Sequence, residues 1–154
     1  VTGWLLWGHE IDEGMKAAKG GDGPGALRHW TPLAQLGSKE AQRLVGQAYA
    51  FGWGDIPKDS SRAMYWFRRC GPRCGYSTVD DEQAKDPAAA QALIIAKAFA
   101  AGASGGPPDL AESAKWLRLA ADGGSQEAAA MLAEQRRAVG APEAPATGAA
   151  ADER

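Results

Sequence analysis

At 154 residues the chain is sized for one globular domain or one short repeat array. Apolar residues make up 45% and charged residues 23%, which supports a folded core and argues against global disorder. A net charge of −2 and a pI near 5.7 argue against a basic face for DNA or RNA, and no apolar run approaches the roughly 18–20 residues that cross a bilayer.

Residues 1–9 form an apolar segment containing Trp4 and Trp7. It is expected to cover the first structural unit as a cap, with a membrane or a preceding segment as other contacts. The stretch is too short for a signal peptide and lacks a basic leader and a small-residue cleavage site. A chain starting with Val1 reads as mature, truncated or started at a non-AUG codon. The cytoplasm and a bacterial periplasm or cell envelope both stay open. In the next stretch His29 stands beside Trp30 and reads as a surface or packing residue, because no partner for general-base chemistry can be named.

From residue 38 the helical pattern is explicit. Ser38 is a suitable N-cap, and Ala41, Leu44, Val45, Ala48 and Tyr49 follow at i, i+3, i+4, i+7 and i+8. Gly52 and Gly54 stop this helix, and Pro57 prevents its simple continuation. Asp59 or Ser60 then caps a second helix carrying Ala63, Met64, Tyr65, Trp66 and Phe67. The stretch YAFGWGDIPKDSSRAMYWF therefore reads as a joint between two helices. It lacks the G-x-x-x-x-G-K-[ST] order of a phosphate loop and follows a helix, not a strand.

Cys70 and Cys74, in RRCGPRCG, are spaced C-x-x-x-C. They read as small buried thiols, as a structural disulfide, or as metal or redox ligands with only His9 and His29 to assist. On an intact helix their Cβ atoms would lie about 5–6 Å apart, beyond disulfide reach, but Gly71 and Pro72 can break the helix there. Arg68, Arg69 and Arg73 precede Asp80, Asp81 and Glu82 in the following loop. Those carboxylates read more readily as a helix cap than as an acid–base site, and the loop is a recognition element or a tolerated decoration.

The joint is then written a second time. In AKAFAAGASGGPPDLAESAKWLRLAADGG, Phe99, Gly102, Pro107, Asp109 and Trp116 stand for Tyr49, Gly52, Pro57, Asp59 and Trp66, at one offset (99 − 49 = 50). Trp30 precedes Trp66 by 66 − 30 = 36, so the pattern predicts a period near 36 with one insertion of 50 − 36 = 14 residues.

Ala41, Gln42, Gly46, Tyr49, Gly52, Gly54, Pro57, Asp59, Ala63, Trp66 and Phe67 make this stretch resemble the Sel1-like repeats, relatives of the tetratricopeptide repeats. Phe99, Gly102, Asp109, Trp116, Ala120, Ala121 and Gly123 continue the resemblance, which covers roughly residues 10–135. Ala96 and Ser104 depart from it at the positions of Gly46 and Gly54, and the first unit has a shorter turn. The expected fold is all-α: a short right-handed α-solenoid of about three helix-turn-helix units and a C-terminal capping helix. The units are expected at about 10–37, 38–85 and 86–124, with the cap at 125–139. An Ala/Pro-rich tail at 140–154 is expected to be disordered. Gly46 and Ala48 should admit close helix approach, and Tyr49 and Trp66 should fill the space within a unit.

The resemblance implies an adaptor for proteins or peptides. Its cysteine-rich branch staples helices with a longer Cys spacing and also implies a rival activity, a cell-wall or β-lactam-directed hydrolase, for which no nucleophile stands out here. On the helix over 39–52, the row not assigned to packing is Arg43, Gln47 and Ala50, and the 50-residue offset carries it to Leu93, Lys97 and Ala100. Arg43, Gln47, Leu93 and Lys97 are the expected partner-binding residues, the cations for acidic groups and Leu93 for apolar contact. No cofactor, metal or nucleic acid is expected, and the chain is expected to act as a monomer.

Overall fold

The computed structural model describes residues 2–71, 74, 85–102, 106–138 and 140, with side chains from residue 5 onward. Seven α-helices are found among them: α1 (Thr2–Lys19), α2 (Gly23–Gln35), α3 (Lys39–Phe51), α4 (Ser60–Cys70), α5 (Ala89–Ala101), α6 (Leu110–Asp122) and α7 (Gln126–Ala138). The helices α1–α2, α3–α4 and α5–α6 pair as hairpins, α2 packs on α3, and α7 closes the end against α6. The molecule is an all-α short solenoid of helix-turn-helix units with a capping helix. The apolar start is no separate element, because α1 runs unbroken from Thr2. Trp7 packs partly against the core, whereas Leu5 and Leu6 are exposed; the Trp4 side chain lies outside the described residues.

The second helix of every hairpin starts in the same way. Asp22, Asp59 and Asp109 each accept a hydrogen bond from the backbone amide three residues on, at 2.8, 3.0 and 3.0 Å. This satisfies an N–H that the first turn would otherwise leave without a partner. The caps set the register, and they correct the period drawn from the tryptophans. Cap to cap is 59 − 22 = 37 and then 109 − 59 = 50, so the insertion is 50 − 37 = 13 residues long. In this register Trp30 corresponds to Phe67 and Leu117, not to Trp66. Counted from the cap, positions +4, +8 and +11 are Ala26, Trp30 and Leu33, then Ala63, Phe67 and Cys70, then Ser113, Leu117 and Ala120, all buried.

The joints repeat as closely as the caps. Gly52 and Gly102 end α3 and α5 in the left-handed region, at φ 68° and 74°, where a Cβ would be strained. The chain then turns back so that the Asp59 amide donates to the Tyr49 carbonyl at 2.9 Å, and Asp109 does the same to Phe99 at 2.9 Å. Within a hairpin, helix approach depends on size complementarity. A Cβ on Gly14 would overlap the Trp30 indole, and one on Gly46 would overlap the Phe67 ring. In the third unit the corresponding pair, Ala96 and Leu117, trades a larger first-helix residue for a smaller partner, and both are fully buried. One core cluster joins α1–α4 and a second joins α3–α7, with Tyr49 packing against both.

The insertion between α4 and α5 is pinned at each end. Gly71 leaves the helix at φ 91°, and Cys70 and Cys74 form a disulfide with Cα atoms 5.2 Å apart, both side chains buried. The backbone break answers the spacing problem of an intact helix. The Gln91 side-chain amide donates to the Cys74 carbonyl. At the far end Asp86 accepts from the Arg68 guanidinium at 2.9–3.2 Å and from the Ala88 amide at 2.9 Å, while its own amide donates to the Gly123 carbonyl at 2.9 Å. Arg73, Asp80, Asp81 and Glu82, the capping role read for those carboxylates, and the tail from residue 141 lie outside the described residues.

Two stability predictions follow from this packing. Gly46→Ala forces a methyl onto the Phe67 ring. Overpacking of about 1–3 kcal/mol outweighs a helix-propensity gain of up to ~1 kcal/mol, so thermal melts should show a lower Tm; an unchanged or raised Tm would refute the size constraint. Removing the bridge with Cys70→Ser and Cys74→Ser frees a short loop in the unfolded chain, a loss of about 2 kcal/mol. That predicts a Tm decrease of about 4–8 °C, matched by the wild type in reductant, as scanning calorimetry would read directly.

Candidate partner-binding face

The α3 row begins with Arg43, whose guanidinium donates to the Gln47 side-chain carbonyl at 3.4 Å; both residues are half-buried. Lys97, on α5, is exposed and forms an ion pair with Glu127 of α7 at 2.7 Å. These three expected residues reach the surface. Leu93 does not. It is 2% exposed and belongs to the second core cluster with Phe67, Ile95 and Phe99, as does Ala50 at 1%. The apolar contact expected from Leu93 is thus spent inside the core cluster that joins α3–α7. A sequence offset transfers a position along the chain but not its neighbours: Arg43 is half-buried, whereas Leu93, at the same place in the next repeat, is in the core.

The structure adds residues that the sequence reading passed over. One turn beyond Gln47, the row Arg43–Gln47 reaches Phe51, at i+8, where the sequence reading took Ala50 at i+7. Phe51 is half-buried, its ring centroid 5.3 Å from that of Phe99 and 6.4 Å from that of Trp53. The Lys58 ammonium stands 5.3 Å from the centre of the Phe99 ring. Phe51, Lys58 and Phe99 line a groove together with Pro107, Pro108 and Leu110. The aromatic residues were visible in the sequence on either side of the glycine joint, but only the fold brings residues 51, 58 and 99 together.

Other candidate chemistry resolves into structural contacts. The His29 imidazole Nδ1 lies 2.7 Å from the Glu10 carboxylate and links α2 to α1. The Arg62 guanidinium donates to the Tyr49 hydroxyl at 3.3 Å, which raises its pKa above the ordinary arginine value, and Asp59 adds to the effect. Glu13 accepts from Lys16 at 2.8 Å, which lowers the carboxyl pKa and raises that of the ammonium. These groups are solvent-exposed, so screening limits their contribution. Among the described residues no group of three or more His, Cys, Asp or Glu side chains could hold a metal ion, and no helix is long and apolar enough to cross a membrane.

The comparison with protein families finds the Sel1 repeat twice, over residues 39–69 and 95–125. The first match takes in α3 and nearly all of α4; the second runs from within α5 to the turn before α7. Among curated proteins none matches the chain significantly. Sel1-repeat solenoids generally serve protein–protein interaction and form a non-catalytic fold. The chain thus carries two Sel1 repeats, both built on an aspartate-capped second helix and a left-handed glycine joint.

Proposed function

We propose that the chain is a non-enzymatic adaptor that holds a peptide or protein segment along the inner face of its solenoid, with Arg43, Gln47 and Lys97 as the contacting residues. It acts as a monomer and takes no nucleic acid. The observation that carries this reading is the contrast among first-helix residues. Ala50, Leu93 and Phe99 are consumed by stacking, while Arg43, Gln47 and Lys97 keep polar atoms at the surface. Among the described residues Arg43 bonds only the neutral Gln47 side chain, so most of its donors are left for an incoming carboxylate. Lys97 already holds one carboxylate, that of Glu127, and a partner's acid can replace it.

Rim charges of this kind act on association and specificity more than on fold. The Arg43→Glu, Lys97→Glu double variant should therefore keep its helical circular dichroism and lose affinity for partners captured by the wild type by about tenfold or more, the equivalent of ~1.4 kcal/mol. Titration of each captured partner against both proteins reads this directly. Equal affinity for every partner would move the binding surface elsewhere.

A further inference from the structure

The inner row of α3 leads into the aromatic groove, and the groove has a composition that selects its occupant. Its floor is Phe51 and Phe99, its wall is Pro107 and Pro108, and Leu110, 48% exposed, lies at its edge. Flat aromatic and prolyl surfaces of this kind take an extended chain, because prolyl and aliphatic side chains cover them without asking for hydrogen bonds. The charges in and around the groove are equally selective. Lys58 contacts the Phe99 ring and makes no ion pair among the described residues. The lining carboxylate of Asp109 accepts the Glu112 amide as the cap of α6, where the positive end of the helix dipole offsets part of its charge. Arg43 stands at the other end of the row, about 12 Å from Phe51 at a rise of 1.5 Å per residue.

Building on the adaptor reading above, we infer that the inner face continues into this groove and that its partner is an extended acidic segment. A prolyl or aliphatic residue covers the accessible part of Phe51 beside Pro107 and Pro108, with the buried Phe99 beneath. Carboxylates about four to six residues apart, at the ~3.3 Å rise of extended chain, meet Lys58 on one side and Arg43 on the other. The charge complementarity is with two cations that hold no carboxylate among the described residues.

The test uses the full chain and two fluorescein-labelled hexapeptides, Glu-Ala-Pro-Leu-Ala-Glu and Lys-Ala-Pro-Leu-Ala-Lys, in fluorescence anisotropy at low salt. The acidic peptide should bind at least tenfold more tightly than the basic one. Lys58→Glu should weaken it at least tenfold, Lys58→Arg should retain binding, and Phe51→Ala should weaken it where the melting curve shows the variant folded. Acidic-peptide binding that survives Lys58→Glu but is lost in the Arg43→Glu, Lys97→Glu variant would overturn the groove and leave the inner-face reading standing. Loss in Lys58→Glu with no change in that double variant would support the groove at Lys58 but overturn the Arg43 contact and, with it, the inner-face residues. Equal affinity for the two peptides, or no binding of the acidic one at millimolar concentration, would overturn the inference.

Discussion

The architecture depends on a missing side chain. In each of the first two hairpins a glycine on the leading helix, Gly14 or Gly46, faces a large ring on the returning helix, Trp30 or Phe67, at a distance that admits no Cβ. That approach lets the ring fill the space between the helices, and buried rings of this size dominate the apolar area of so small a unit. The aspartate caps and left-handed glycines act in support of it. They fix where the returning helix begins and at which angle the chain re-enters, so the ring arrives opposite the gap. Small changes at these positions act on packing, where interiors tolerate little error.

Stacking then decides what is left for recognition. A helical hairpin cannot bury its own apolar face, so each unit offers one flank to its neighbour and keeps another for solvent. Leu93 and Ala50 are taken into the core cluster that joins α3–α7, while Arg43, Gln47 and Lys97 are not. Stacking also brings Phe51 against Phe99 and sets Lys58 over the ring. An aromatic floor with a cation at its edge is thus a consequence of stacking two copies of one joint. The stretch between α4 and α5 is anchored at its described ends, by the Cys70–Cys74 disulfide at one and the Asp86–Arg68 contact at the other.

The sequence by itself determined the local grammar. Cap, apolar row, glycine stop and proline are read by interactions that span four residues or fewer, so the helix-turn-helix joints at 52–59 and 102–109, and their common offset, were legible without coordinates. The register of the first unit was not, because the match was anchored on identical residues. Tryptophan recurs at 30, 66 and 116, yet its place relative to the cap shifts by one in the first unit, and a helix turns about 100° per residue. The state of the two cysteines was equally open in the sequence, since it turns on whether α4 ends at Gly71.

Only the tertiary structure decided that Leu93 is buried while Lys97, one turn on, is exposed. It also decided that residues 51, 58 and 99, drawn from two repeats, share one groove. Period and caps report contacts within a helix and its turn. Burial and groove formation report contacts between units, which carry no spacing signal in the chain and arise when one hairpin docks on the next.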